Sequence, residues 1–361
     1  MKQYLTIVAS ILVSGFLFVP IMEFADANDY NILSADPATG LYRYIPNSSF
    51  RTVGDCYENT VTVNNLGFHG PPVFTEKGNN TFRIILIGSS YVSAIQVPVD
   101  QMFATLLEDK LNASPNRSYT YEVIPIAIGG HSKMLLDIFY YLKYGSVLKS
   151  DLVIDIESGN ELIDERTIDT SVLDAQGNIV AQTPKSSESK TVALVRTASR
   201  NSKFLVNLYN RFLVFKSNLN LFLSAPFAST APPVPISDSA LEEQQTQAEQ
   251  ALWQSKEKML SIFARLVAKD GAQFLYASWT SSWVATSTST QFPKYGQKIA
   301  ERNNFPYVDL APAFWSAEKA SGRPGVYRCD AHWNDEGNRY IADAFFLYLT
   351  AHPALLSKKP L

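Results

Sequence analysis

The sequence has little excess charge and few cysteines or histidines. Its 361 residues carry a net charge of −3 at pH 7, so composition gives no reason to expect nucleic-acid binding. Only two cysteines and four histidines are present. With 46% hydrophobic and 18% charged residues, the chain is unlike wholly disordered proteins and can bury a sizeable core. Its length suits one large domain or two ordinary ones.

The amino terminus lacks charge between Lys2 and Glu23. The apolar run at residues 4–22 is longer than the usual signal-peptide core of about 7–15 residues and is near the lower limit for a membrane span. A small-x-small cleavage site lies at residues 25–27. We therefore expect residues 1–27 to be a signal peptide or a membrane anchor, with the remainder exported to the periplasm or cell surface. A buried amino-terminal helix is the alternative.

The two cysteines, Cys56 and Cys329, lie far apart in the sequence. In an exported chain they can form a disulfide, which would pin the amino-terminal segment to a carboxyl-terminal loop. Two unpaired buried thiols are the alternative, and the sequence does not choose between them.

Strand-like and helix-like segments alternate from residue 83 onward. Short apolar runs predict strands at Arg83–Ile87, Tyr121–Ala127, Asp151–Ile156, Phe274–Ala277 and Pro306–Leu310. Helical spacing predicts helices over Asp100–Leu111, His131–Tyr144, Ser239–Ala268 and Asn334–Thr350. This alternation predicts an α/β domain over residues 81–361, with a parallel sheet covered on both faces. Turn formers and short strand-like pieces at 28–80 predict a β-rich segment packed on that domain.

Residues 165–237 interrupt the alternation and read as a helical insertion. Acidic side chains are absent from Ser189 to Ser237, whereas basic and aromatic ones are frequent at 191–222. Such a segment can lie on a membrane surface, line an anionic groove, or cover the core as a pair of amphipathic helices.

Side chains with catalytic potential follow the predicted strands. Ser90 comes after Gly88 at the end of the first strand, and Asp330 and His332 directly precede the last helix. A serine hydroxyl becomes a nucleophile beside a base, and a carboxylate orients that base. The carboxyl ends of the strands in an open α/β sheet form its usual ligand site. Taken one at a time, these residues also fit a Gly-Ser turn and a surface ion pair.

Half of a metal site, completed by Glu157 or Glu161, is a further alternative for Asp330 and His332. Asp-x-His with scattered carboxylates is a poor signature for a transition metal, so we expect no metal.

Four short blocks together resemble those of the SGNH, or GDSL-type, hydrolases. They occur in the family order: Gly88-Ser89-Ser90, Ile128-Gly129-Gly130-His131-Ser132, Gly159-Asn160-Glu161 and Asp330-Ala331-His332-Trp333-Asn334. The resemblance covers about residues 60–350 apart from the insertion. It implies a three-layer, flavodoxin-like α/β domain.

The resemblance also implies a role for each matched residue. Ser90 would attack an ester carbonyl, His332 would accept its proton, and Asp330 would orient His332. The backbone N–H groups of Ser90 and Gly130, with the Asn160 side-chain amide, would hold the oxyanion. The function implied is an extracytoplasmic ester hydrolase or O-acyltransferase that needs no cofactor, with small acyl groups on a glycan as the preferred substrate.

The departures from the family pattern keep other functions open. Ser89 stands where the family has aspartate, which makes Ser89 a minor rival nucleophile and favours a non-catalytic carbohydrate-binding protein as an alternative. The spacing of two between Asp330 and His332 resembles that of proteins that acetylate or deacetylate exported polysaccharides. The segment at 191–222 favours a third function, a lipid esterase at the membrane surface.

Overall fold

The structure is a computed structural model, and it describes residues 32–36, 41–115, 117–129, 134–158, 238–280 and 287–358. Outside these ranges lie the predicted leader at 4–22, the predicted insertion at 165–237 and the basic segment at 191–222. Gly130, His131 and Asn160 also lie outside them. The chain divides into two compact units, Met1–Leu33 with Ser186–Glu243, and Ser34–Lys185 with Gln244–Leu361. Nearly all described residues belong to the second unit.

A five-stranded parallel sheet forms the centre of this unit. The strands are β5 (Thr81–Gly88), β6 (Thr120–Ile126), β7 (Leu152–Ser158), β8 (Gln273–Trp279) and β9 (Tyr307–Asp309), in the spatial order β6-β5-β7-β8-β9. Every residue of β5 and β7 is buried, as expected for strands covered on both faces. This is the flavodoxin-like strand order, so the predicted fold class is confirmed.

Helices cover both faces of the sheet. They are α1 (Ser90–Ser93), α2 (Phe103–Ala113), α3 (Met134–Tyr140), α4 (Asp238–Lys269), α5 (Ser287–Asn303), α6 (Ala311–Ser321) and α7 (Asp335–Ala351). One core, containing Ile84, Ile154 and Leu275 of the sheet, packs against α2, α6 and α7. On the opposite face α4 packs through Phe263, whose ring centroid lies 5.2 Å from that of Phe274. Sheet and helices therefore form three layers. No described helix has the length and apolar character needed to cross a membrane.

The predicted strands all occur, and two predicted helices need correction. The helix expected at Asp100–Leu111 is a 3₁₀ turn, Val99–Gln101, followed by α2, because Met102 between them has extended backbone angles. The helix expected to end at Tyr144 leaves α-helical geometry after Tyr140 and continues as a π-helical turn, Tyr141–Gly145, and a 3₁₀ turn, Ser146–Leu148. Another 3₁₀ turn, Pro353–Leu356, follows the last helix.

The amino-terminal segment is β-rich, as predicted. It contains β1 (Leu33–Ala35), β2 (Tyr42–Tyr44) and a hairpin of β3 (Ser49–Gly54) with β4 (Tyr57–Thr62). Asn59 of β4 donates hydrogen bonds to the carbonyls of Ile95 and Val97, just after α1. The hairpin therefore packs against the region that follows the end of β5.

Candidate active site

Gly88 gives the chain a sharp turn at the end of β5. Its φ of +155° lies in the region that favours glycine, and a Cβ there would come within 2.3 Å of the Ile156 carbonyl oxygen and 2.8 Å of Val92. Ser89 then caps α1 and Ser90 is its first residue. The turn therefore places the Ser90 hydroxyl at the carboxyl edge of a central strand.

Ser90 and His332 meet although 242 residues separate them: Ser90 Oγ lies 2.6 Å from His332 Nε2. On the other side of the ring, His332 Nδ1 lies 2.5 Å from Asp330 Oδ1. An ionised carboxylate can only accept, so the neutral ring must carry its proton on Nδ1 and offer the Nε2 lone pair to the Ser90 hydroxyl. This is the geometry of a nucleophile, a base and an orienting carboxylate.

The loop that carries His332 is fixed from both sides. Asn334 caps α7 by accepting a hydrogen bond from the Gly337 backbone N–H at 2.9 Å. The Tyr91 hydroxyl donates to the Ala331 carbonyl at 3.1 Å, and the Tyr91 ring centroid lies 4.9 Å from the His332 ring. About a quarter of the His332 side chain remains exposed, which leaves the dyad open to a substrate.

The environment of Asp330 favours its charged form. Burial alone would raise the pKa of Asp330, but hydrogen bonds from His332, attraction to His332 and a hydrogen bond from Gln96 outweigh burial and lower it. Asp330 is therefore ionised at neutral pH, as an orienting carboxylate must be. Gln96, buried beside it, is a partner that no sequence block indicates.

A disulfide joins Cys56 to Cys329, the residue directly before Asp330. Cys56 lies in the turn between β3 and β4, so the bond connects the amino-terminal hairpin to the loop of the candidate triad. Both cysteines lie in exposed positions. Of the two alternatives that the sequence leaves open, the structure has the bridged one.

Only one of the three expected oxyanion donors lies in the described part of the chain. The Ser90 N–H is at the first position of α1, where a helix has no intrahelical acceptor for it. Gly130 and Asn160 fall outside the described residues, and their roles stay predictions. Gly129, which directly precedes Gly130, follows β6, and Ser158, two residues before Asn160, ends β7. Both strands end at the edge of the sheet where Ser90 follows β5.

The rival candidates lie elsewhere. His332 pairs with Ser90 rather than with Ser89, whose side chain forms no capping hydrogen bond. Glu157 lies in the interior, 2.5 Å from the Lys256 ammonium and 2.6 Å from the Tyr276 hydroxyl. Within the described ranges no three His, Cys, Asp or Glu side chains form a group that could hold a metal ion.

The other described histidines are structural. His69 is buried, and its Nδ1 lies 3.0 Å from the Ser93 carbonyl oxygen. Burial lowers the pKa of His69 to about 4, partly offset by backbone hydrogen bonds. His352 is exposed beyond the end of α7, with Nδ1 2.7 Å from the Tyr348 carbonyl oxygen.

No protein-family model matches this chain, and no curated protein matches it. Several solved structures resemble it. A lipase/acylhydrolase from Enterococcus faecalis is 11% identical with a TM-score of 0.42, over 78% of this chain and 100% of that one. A two-domain esterase active on acetylated mannans is 11% identical with a TM-score of 0.42, over 78% of this chain and 51% of that one. A member of the lipolytic protein G-D-S-L family from Veillonella parvula is 11% identical with a TM-score of 0.39, over 74% and 98%.

The last of these three is a member of the G-D-S-L family, which the four sequence blocks resemble. Because the TM-scores and identities of all three are low, the function proposed below rests on the geometry of Ser90, His332 and Asp330 instead.

Proposed function

We propose that this chain is an extracytoplasmic SGNH-type serine esterase or O-acyltransferase that works through an acyl-serine intermediate. The observation that carries the proposal is the alignment of Ser90 Oγ, His332 and Asp330, with contacts of 2.6 Å and 2.5 Å. Hydroxyl, base and orienting carboxylate are the three groups that acyl transfer requires.

The reaction follows from these contacts. As Ser90 Oγ bonds to the ester carbonyl carbon, His332 Nε2 takes the hydroxyl proton and Asp330 stabilises the imidazolium. The tetrahedral intermediate then collapses, the carbon–oxygen bond to the alcohol breaks, and His332 gives the proton to the leaving oxygen. Water or an acceptor hydroxyl attacks the acyl-serine in the same way, which regenerates Ser90.

Two observations support action outside the cytoplasm. Residues 4–22 have the composition of a leader or anchor, and disulfides such as Cys56–Cys329 persist mainly in oxidising compartments.

For the substrate we propose a small acyl group, such as acetyl, on a glycan. Its support is the spacing between Asp330 and His332, which resembles that of proteins acting on exported polysaccharides.

Hydrolysis of p-nitrophenyl acetate by the purified full-length protein tests the proposal. Ser90→Ala removes the nucleophile, whereas Ser89→Ala removes the neighbouring hydroxyl and serves as the matched control. We expect Ser90→Ala to lose at least about 1,000-fold in kcat and Ser89→Ala to retain most activity. Equal rates for wild type and Ser90→Ala would contradict the proposed esterase activity. They would favour a non-catalytic glycan-binding protein.

Acyl-chain length separates glycan and lipid substrates. An acetyl esterase is expected to lose activity as the p-nitrophenyl ester lengthens. A preference for long chains, together with liposome binding that disappears when residues 191–222 are deleted, would instead favour a lipid esterase at the membrane surface. Transfer of acetyl to an added oligosaccharide, measured against release of free acetate, separates transferase from hydrolase.

A further inference from the structure

The Tyr44 hydroxyl lies between two turns at the carboxyl edge of the sheet. Tyr44 is the last residue of β2 in the amino-terminal segment, and it is 2% exposed. Its hydroxyl is 3.1 Å from Ser93 Oγ and 3.1 Å from the Gly129 backbone nitrogen. Ser93 ends the short helix that begins with Ser90, and Gly129 follows β6, the neighbour of β5.

One of these two hydrogen bonds has a direction fixed by the groups that form it. The Gly129 N–H can only donate, so the Tyr44 oxygen accepts from it. The Tyr44 hydroxyl also carries a proton, and in its hydrogen bond with Ser93 Oγ either oxygen can be the donor. Burial raises the pKa of Tyr44, so its hydroxyl keeps this proton at neutral pH.

Ser93 is itself firmly placed. Its N–H donates to the Ser89 carbonyl at 3.0 Å, and its own carbonyl lies 3.0 Å from His69 Nδ1. The buried, neutral His69 ring donates this bond, because a carbonyl only accepts. The Tyr44 ring packs on Phe50, with ring centroids 5.1 Å apart. Tyr44 therefore connects two fixed elements, the nucleophile helix and the β3–β4 hairpin, to the glycine turn after β6.

We propose that Tyr44 is a positioning residue of the active site, whose hydroxyl sets the glycine turn at Gly129 relative to the Ser90 helix. This inference rests on the proposed acyl-serine function. Backbone donors stabilise a developing oxyanion only when they are held in place before the reaction. Through Tyr44, the amino-terminal segment supplies part of that support.

Tyr44→Phe removes only the hydroxyl and keeps the ring on Phe50. The matched control is Tyr141→Phe, which removes another fully buried tyrosine hydroxyl, one that lies 2.8 Å from Asp270 Oδ2 away from the site. With p-nitrophenyl acetate we expect Tyr44→Phe to lower kcat roughly 10- to 100-fold with KM unchanged, because misplaced catalytic groups slow the chemical step. Tyr141→Phe is expected to keep the wild-type kcat even where its melting temperature falls.

Ser93→Ala provides a second variant, which removes the hydroxyl that pairs with Tyr44 and leaves the Gly129 contact. We expect a smaller loss of kcat, and a double variant less impaired than the product of the single losses, as for residues that act together. If Tyr44→Phe does not fold, the loss of kcat in Ser93→Ala at unchanged KM carries the test.

The two failures are distinguishable. A wild-type protein that hydrolyses no ester and whose Ser90 is not labelled by a fluorophosphonate overturns the proposed function. An active wild type whose kcat is the same in Tyr44→Phe and in Tyr141→Phe overturns only the role of Tyr44.

Discussion

Cys329, bonded to Cys56 across 273 residues of sequence, is the chain neighbour of Asp330. The turn of the β3–β4 hairpin is thereby fastened next to the carboxylate that contacts His332. The amino-terminal segment thus contacts the site through this disulfide and through Tyr44. Its removal should disturb the site and not merely shorten the protein.

Replacing both cysteines tests the first connection. We expect Cys56→Ser/Cys329→Ser to lose about 2–5 kcal/mol of unfolding free energy, since the bond closes a long loop. We also expect a lower kcat, because the backbone before Asp330 is no longer tethered. Both quantities can be measured on the wild type and on the double variant, each with and without dithiothreitol. The reductant should affect only the wild type, and an unchanged kcat after complete reduction would show that the tether does not support the site.

Asp330→Asn tests the orienting carboxylate. An asparagine in a Ser-His-Asp arrangement holds the wrong tautomer, which lowers kcat by about 10⁴. Asp335→Asn is the matched control, since Asp335 lies in the first turn of α7 and pairs with Arg339 at the surface. We expect p-nitrophenyl acetate hydrolysis to collapse in the first variant and persist in the second. Similar rates in both would remove Asp330 from the mechanism.

The buried His69 predicts a loss of stability in acid. Its pKa is lowered from 6.5 to about 4 in the folded protein. Between these values the unfolded chain binds a proton that the folded protein does not. This contribution to stability is therefore complete above about pH 6.5 and falls as the pH drops toward 4. The loss approaches roughly 3 kcal/mol, at about 1.4 kcal/mol per pH unit.

Urea denaturation at pH 7 and pH 4.5, compared with His69→Asn, isolates this effect. Asparagine offers an N–H near the position of Nδ1 for the Ser93 carbonyl but does not titrate. We expect the wild type to lose more stability than His69→Asn over this range. Equal losses would mean that other groups account for the acid sensitivity.

Lys256 and Glu157 form a buried ion pair at 2.5 Å, with both side chains almost fully enclosed. Removing one partner of such a pair leaves the other charge in the interior and costs about 3–5 kcal/mol. We therefore expect Lys256→Met to lower the unfolding free energy by that amount. Lys258→Met, at an exposed position of the same helix, should change it by less than about 0.5 kcal/mol. A difference too small to measure between the two variants would contradict a structural role for the pair.

The sheet was predictable because it depends on local pattern, whereas the pairing of Ser90 with His332 was expected from the four blocks that resemble the SGNH hydrolases. Runs of β-branched residues mark the buried strands, and parallel strands bring their carboxyl ends to one edge. Asn334, directly before the last apolar helix, fits an N-cap, and it caps α7. These signals lie in contiguous sequence.

The features that sequence analysis missed depend on distant packing. Helix α5 begins with Ser287-Thr288-Ser289-Thr290 and contains Pro293, a pattern of low helix propensity. The helix forms despite that pattern, and its residues Phe292 and Ile299 are buried. In the sequence, Lys256 resembles a solvent-exposed helix position. In the structure it is buried and pairs with Glu157. Tyr44 and Gln96 carry no motif, and only the folded chain brings them to the site.

The reaction of Ser90 with a fluorophosphonate tests the central claim most directly. Intact mass and peptide mapping should show one adduct, on Ser90, formed rapidly in wild type and in Ser89→Ala. In His332→Ala its rate should fall by at least about 1,000-fold, because a serine without its base is a poor nucleophile. An adduct on another residue, or labelling of Ser90 at the same rate without His332, would contradict the proposal that these two groups form one catalytic unit.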